Sequence, residues 1–187
     1  MADFHSLPAN LPVPLDDGAA EHLLGGVVPA VSLPSTLGGE LDLSVAAQGL
    51  LVAYIYPRTG RPGEPSPIGW DEIPGARGCT PQSCAFRDHV AELAQHGAKL
   101  VGISAQSSEE QREFAAREQI PYPLLSDAAL RLANVLGLPT FEAAGMTLYK
   151  RLTLIACAGR ILKVFYPVFP PRRNALDVLA WLDERST

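Results

Sequence analysis

Leu50-Leu51-Val52-Ala53-Tyr54-Ile55-Tyr56 is apolar at every position and stops at Pro57. A strand with one wet face alternates polar and apolar residues, so an unbroken run of this length predicts a central strand buried on both faces. Residues 99–104, Lys-Leu-Val-Gly-Ile-Ser, read the same way. Between the two runs, residues 80–95 place apolar side chains at helical spacing, with Thr80 as the expected N-cap, Pro81 at the first helical position and Gly97 as the stop. Strand, helix and strand in this order predict a parallel pair joined by a right-handed crossover.

Working outward, residues 108–119 and 128–136 predict two more helices, the second closed by Gly137. Residues 147–156 and 160–166 are β-rich and are joined by Cys157-Ala158-Gly159, a connection suited to an antiparallel hairpin, so the sheet is expected to be mixed. Ala175, Val178, Leu179 and Leu182 form one stripe at i, i+3, i+4 and i+7 and predict a C-terminal helix packed on the sheet. The order β-α-β-α-β-β-α predicts a three-layer α/β domain. Residues 1–30, rich in Pro, Gly and Ala, read as an N-terminal extension lying over the surface or partly disordered. Residues 31–187 read as a single domain.

A chain of 187 residues has the length of one domain with a sizeable core. At 47% hydrophobic and 19% charged residues it fits neither a disordered tail nor a coiled coil. Fifteen Lys and Arg against 20 Asp and Glu give a net charge of -5, so no cationic field attracts nucleic acid or an anionic membrane. Residues 1–14 lack the basic start and apolar run of a signal peptide, and residues 50–56 fall far short of the roughly 20 apolar residues that span a bilayer. The expected location is the cytoplasm. In a reducing compartment, three cysteines point to transient or catalytic chemistry instead of a structural bridge.

Residues 57–79 leave the C-terminal end of the central strand, the edge at which α/β sheets bind ligands, and deliver Cys79 to a helix start. A loop of this length inside a compact domain is usually functional. At a helix N-terminus, free N–H groups and the macrodipole favour an anion, and the anion offered is a thiolate. Arg77 and Arg87 are near in sequence and are expected to strengthen the effect, making Cys79 nucleophilic near neutral pH. Cys84 follows five residues later, which excludes the C-x-x-C spacing of thioredoxins and of common zinc sites. Five residues of intact helix give about 7.5 Å of rise and place the Cα atoms roughly 8 to 9 Å apart. A disulfide requires them within about 7 Å. The two thiols can join only if the first helical turn unwinds, so a redox cycle would alternate a folded reduced state with a locally unfolded oxidised one.

The segment Gly78-Cys79-Thr80-Pro81-Gln82-Ser83-Cys84-Ala85-Phe86-Arg87-Asp88 resembles the active-site helix of the Q-type peroxiredoxins, also called bacterioferritin comigratory proteins, of the alkyl hydroperoxide reductase and thiol-specific antioxidant family. Ser32-Leu33-Pro34 with Gly38-Gly39 resembles that family's opening hairpin, Tyr54-Ile55-Tyr56-Pro57 its strand before the active site, and Pro123-Leu124-Leu125-Ser126-Asp127 and Arg151-Leu152-Thr153-Leu154-Ile155 two later segments. The likeness runs from about Leu33 to Leu182. It implies a thioredoxin-like fold and a cofactor-free, metal-free thiol peroxidase acting on hydrogen peroxide and organic hydroperoxides. In that reading Cys79 is the peroxidatic cysteine, Cys84 resolves it into an intramolecular disulfide, thioredoxin or a similar dithiol reduces the bridge, and Arg151 stabilises the thiolate and the leaving oxygen. The implied state is a monomer or weak homodimer.

Two departures from the family pattern stand out. Ala76 occupies the position where the family carries a Thr or Ser hydroxyl toward the peroxide, and about fifteen extra residues separate Pro57 from Cys79. Thr59, Thr80 or a backbone group are the available substitutes. Trp70, in the insertion, reads equally as a cover for the active site or as an anchor on the core. Cys157 reads as a non-catalytic turn thiol, and His5, His22, His89 and His96, without zinc spacing, as solvated side chains. These departures motivate an alternative function, a redox-sensing or binding module that uses the same disulfide switch without efficient turnover. A thiol–disulfide oxidoreductase is a third.

Overall fold

The computed structural model describes residues 6–186. Its centre is a five-stranded mixed sheet whose strands run, edge to edge, through residues 124–126, 99–104, 51–55, 152–157 and 160–165. Strand β3 (Leu51–Ile55) is fully buried and central, parallel to β4 (Lys99–Ser104) on one side and antiparallel to β8 (Leu152–Cys157) on the other. The sheet is completed by β5 (Leu124–Ser126), parallel to β4, and β9 (Arg160–Phe165), antiparallel to β8. A separate hairpin of β1 (Ser32–Pro34) and β2 (Glu40–Asp42) lies where the family resemblance places one. With helices on both faces, this is the expected α/β, thioredoxin-like architecture.

The apolar run sorts its residues by parity. Val52, Tyr54 and Tyr56 face a cluster with Phe86, Leu93, Phe114, Val178 and Leu182, drawn from α2 (Cys79–Asp88), α3 (Val90–Gln95), α4 (Ser108–Arg117) and α6 (Asn174–Ser186). Leu51, Ala53 and Ile55 face the opposite layer, with Leu43 and Ala46 of α1 (Leu43–Ala46) and Leu132 and Ala133 of α5 (Arg131–Leu136). The segment 20–31 supplies Ala20, Leu23, Val28 and Val31 to this second core. Tyr54 fits because its neighbour on β4 is Gly102, where an added Cβ would lie 2.6 Å from the Tyr54 hydroxyl.

The structure corrects several expected boundaries. Helix α2 starts at Cys79, capped by Gly78 at φ 101, so Thr80 is a buried helical residue and not the cap. At Gly78 a Cβ would approach the Pro171 ring to 2.6 Å, so both conformation and space demand glycine. The single expected helix of 80–95 is interrupted at His89 (φ -111, ψ 12). The expected helix at 128 begins three residues later, where the Asp127 carboxylate accepts from the Arg131 and Leu132 amides, each at 2.8 Å. Helix α4 ends at Arg117, because Gln119 turns left-handed at φ 54. The β-rich run 147–156 is two strands: β7 (Met146–Tyr149) leaves the main sheet to pair with β6 (Thr140–Ala143) through a turn with positive φ at Ala144 and Gly145. The break frees Lys150 and Arg151 from strand geometry, and Arg151 enters the site. Among the described residues no helix is long and apolar enough to cross a membrane.

Candidate active site

Strand β3 ends at Ile55, and the chain then runs through residues 58–78 with a single 3-10 turn, Trp70–Glu72, before entering α2. Trp70 is buried at 5% exposure and packs with Ala76, Leu148 and Phe141, so the long loop is anchored on the core. Its far end presents Cys79, 3% exposed, at the first position of α2. Cys79 and Thr80 line a narrow pocket of about 40 Å³, shared with Thr59, Arg58, Arg77 and Trp70. That is room for a few atoms the size of water. Ser6 and Leu7 of the N-terminal segment reach the same pocket.

Arg151 holds several of the residues around the pocket. It is buried at 3% exposure, and its Nη2 donates to the carbonyls of Gly75 (3.1 Å), Ala76 (3.3 Å) and Arg77 (3.0 Å) and to Cys79 Sγ (3.2 Å). Nη1 donates to Gln82 Oε1. Nε has no hydrogen-bond partner among the described residues. The guanidinium thus fastens the end of the loop, the first turn of α2 and the Cys79 sulfur to one another. Burying such a charge is costly unless it is hydrogen-bonded, and these carbonyls supply the compensation. The Cys79 thiol itself faces the Ala76 carbonyl at 3.7 Å.

The two arginines singled out by sequence proximity behave differently. Arg77 lines the pocket but pairs with Asp71 at 2.9 Å. Arg87 is directed away from Cys79: its Nη1 donates to the Glu118 carbonyl (2.7 Å) and its Nε to Asp88 (2.9 Å). Lying eight residues on, it belongs to the other end of α2. The expectation that Arg87 assists Cys79 is therefore corrected, and Arg151 is the cation in contact.

Cys84, 8% exposed, is on the same helix in a different setting. Its Sγ donates to Glu118 Oε2 at 3.6 Å. Burial, with the Glu118 and Asp88 charges, pushes its pKa up to about 11, against the opposing pull of Arg87. Both cysteines are free thiols. Cys157 is a free, partly exposed thiol at the end of β8. His22 bonds the Leu136 carbonyl (2.8 Å), His89 pairs with Glu92 (2.9 Å) and His96 with Asp183 (3.1 Å), while His5 lies outside the described residues. No cluster able to hold a metal occurs among the described residues.

At the position of the missing family hydroxyl, Ala76 is buried and contributes only its carbonyl. Thr59 is buried in the same pocket, and its hydroxyl donates to Gln106 Oε1 at 3.1 Å. Sequence reasoning missed Gln82, which bridges Arg151 to Asn174 Oδ1 (2.9 Å), although its place three residues after Cys79 put it on the same helix face. It also missed Glu118, which no local pattern connects to Cys84.

Known proteins show the same framework. The Redoxin family model matches residues 24–179. Peroxiredoxin Q of Sedum lineare, a chloroplastic protein, is 34% identical over 159 residues, covering 84% of this chain and 76% of its own length. Among solved structures, peroxidoxin BcpB of Mycobacterium tuberculosis is 30% identical with a TM-score of 0.70, over 86% of this chain and 96% of that one. Peroxiredoxin Q of Xanthomonas campestris, 21% identical with a TM-score of 0.67 over 95% of this chain and 99% of that one, shares the fold. With the likeness spanning the central strand, the loop, the cysteine helix and the break between β7 and β8 that holds Arg151, the chain belongs to the redoxins and, within them, to the peroxiredoxin Q group of thiol-dependent peroxidases.

Proposed function

We propose that the chain reduces hydrogen peroxide and organic hydroperoxides through Cys79, with Cys84 as the resolving partner and Arg151 as the electrostatic catalyst. The observation that carries this reading is the buried Arg151 guanidinium 3.2 Å from Cys79 Sγ, the sulfur of a cysteine that borders a pocket sized for a hydroperoxide group. The thiolate attacks the terminal peroxide oxygen, the O–O bond breaks, and an alkoxide or hydroxide leaves, taking up a proton to become alcohol or water. Cys79 becomes a sulfenic acid. A fixed cation beside the sulfur stabilises the charge that shifts from sulfur to the leaving oxygen. Cys84 then attacks the sulfenic sulfur, forming the disulfide and releasing water, and an external dithiol of the thioredoxin class returns both thiols by exchange. The cycle is placed in the cytoplasm, where such dithiols are maintained.

Peroxide consumption coupled to thioredoxin, thioredoxin reductase and NADPH tests the reading. Steady turnover is expected. Oxidation that stops after one equivalent identifies the sensor function, which the missing hydroxyl at Ala76 favours. Disulfide exchange with insulin or glutathione without peroxide identifies an oxidoreductase.

A further inference from the structure

Resolution requires Cys84 to lose a proton, yet in the folded helix its thiol is buried and pushed up to about 11. At neutral pH almost none of it is thiolate, and a thiol is a poor nucleophile. The charged and titratable groups around Cys84 are Arg87 and Asp88 on its own helix, Arg117 and Glu118 at the end of α4, and Tyr122 beyond it. Of these, Glu118 touches the sulfur. Its carboxylate is 7% exposed, and Oε1 is held by Arg117 Nη1 at 2.6 Å. Its carbonyl is held by Arg87 at 2.7 Å, and Oε2 is left facing the Cys84 thiol at 3.6 Å. Arg117 on one carboxylate oxygen and Arg87 on the main-chain carbonyl thus hold Glu118 in place, with its other carboxylate oxygen aimed at the sulfur that must be deprotonated.

We propose that Glu118 is the general base of the resolving step, an inference that rests on the reading of Cys84 as the resolving cysteine. When the first turn of α2 melts and brings oxidised Cys79 toward the second turn, Cys84 remains beside Glu118. Cys84 Sγ attacks Cys79 Sγ, the S–O bond breaks and the S–S bond forms. Glu118 Oε2 takes the thiol proton and passes it to the departing hydroxide, which leaves as water. The sulfenic sulfur is reduced, the Cys84 sulfur is oxidised, and the carboxylate is restored. The same hydrogen bond keeps Cys84 protonated before oxidation, so it does not compete for peroxide.

The test follows disulfide formation after one equivalent of hydrogen peroxide in the full chain, by acid quench and mass spectrometry, with sulfenic acid trapped in parallel. Glu118→Gln keeps the shape and a hydrogen bond but cannot take a proton. It should slow Cys79–Cys84 disulfide formation by about 10²-fold at pH 7, the lower part of the range for general base catalysis. The first attack on peroxide should keep its rate. Raising the pH should recover the E118Q rate steeply, because hydroxide replaces the missing base, while the wild type changes little; a merely structural defect would not respond this way. Glu118→Asp, which keeps a carboxylate, should resolve at least tenfold faster than E118Q. Resolution by E118Q at or above the wild-type rate at pH 7, or E118D no faster than E118Q, would overturn the role of Glu118. A different result marks failure of the underlying reading: Cys84→Ser forming an intramolecular disulfide, necessarily to Cys157, as fast as wild type.

Discussion

Cys79 and Cys84 stand on one helix, both buried, and face opposite electrostatics. The first sulfur meets a guanidinium at 3.2 Å, the second a carboxylate at 3.6 Å. The first borders a pocket open to a small ligand, while the second lies between α2 and the end of α4, against Glu118. In the proposed cycle this difference divides the labour: the thiol that would react first has a cation beside it, and the thiol that would wait has an anion. Residue type alone does not create that asymmetry, since each cysteine has an arginine near it in sequence. It comes from which elements the fold brings to each end of α2.

The sharpest way to break the comparison is to exchange each sulfur for oxygen. Cys79→Ser should lower peroxide reduction by at least about three orders of magnitude, because a hydroxyl stays protonated and weakly nucleophilic. Cys84→Ser should consume one equivalent of peroxide at the wild-type rate and then stop, with Cys79 held as sulfenic acid and prone to overoxidation. Stopped-flow peroxide consumption with mass analysis separates the two. A C84S protein that recycles normally with thioredoxin would show that the pair do not share the chemistry.

Removing the cation should have the next largest effect. Arg151→Gln is expected to cut the second-order rate with peroxide by roughly 10²- to 10³-fold, the usual loss on deleting one donor to a developing charge. Arg151→Lys should recover only part, since a point charge cannot reach the sulfur, Gln82 and three carbonyls together. Disulfide formation from preformed sulfenic acid should be hardly slowed in either variant, and an equal loss in both steps would mean that Arg151 acts chiefly by holding the loop.

Much of this contrast is legible in the amino-acid sequence, and the parts that are not share a cause. The unbroken run 50–56 identifies the central strand because its pattern is local and its two buried faces need nothing else to be inferred. Cys79 near a helix start follows from Thr80, Pro81 and the loop that precedes them, and the spacing to Cys84 already means that a disulfide demands unwinding. Glu118, Asn174 and the true destination of Arg87 are long-range facts: Glu118 is 34 residues from Cys84, and Gln82 meets Asn174 across 92 residues. The split of residues 147–156 at Lys150 and Arg151 is hidden because it depends on β7 leaving the main sheet for β6, a pairing made through a turn at Ala144 that lies outside the run and takes a positive φ sequence seldom betrays.

Acidity offers a milder test. Burial and the neighbouring carboxylates raise the Cys84 pKa to about 11, above the ordinary thiol value of 9.0. A thiol whose pKa is raised in the folded state holds its proton there longer than in the unfolded chain. It therefore contributes stability in full below about pH 9, and that contribution is lost as the pH rises through about 11. The folded protein should accordingly lose stability between about pH 9 and 11. Alkylation of the reduced protein at pH 7 should label Cys79 first, with labelling of Cys84 rising up to about tenfold per pH unit from roughly 8 to 10. Equal labelling of the two at pH 7 would erase the electrostatic distinction.

The smallest expected effect concerns how firmly α2 is held. The glycines and prolines around Cys79 suggest that unwinding is inexpensive, but the helix is tied down by buried polar bonds at Gln82 and Ser83. Ser83 receives the Tyr54 hydroxyl on Oγ (3.0 Å) and the Tyr122 hydroxyl on its carbonyl (2.8 Å), while Gln82 is bound by Arg151 and Asn174. Each such bond contributes about 0.5–1.5 kcal/mol net, so together they set a threshold that oxidation must overcome. Tyr122→Phe removes one of them, keeps the ring in the core and leaves Tyr54 bonded to Ser83. A loss near 1 kcal/mol should raise the unwound population about fivefold. Amide exchange over residues 79–88 of the reduced protein should quicken by that factor and disulfide formation should follow it, while β3 stays protected because its bonds belong to the central sheet. In the wild type, exchange over the same residues should be faster after oxidation than before. Unchanged exchange in Tyr122→Phe alongside an altered rate of peroxide attack would place the Tyr122 hydroxyl in the chemistry of Cys79 and take it out of the restraint on the helix.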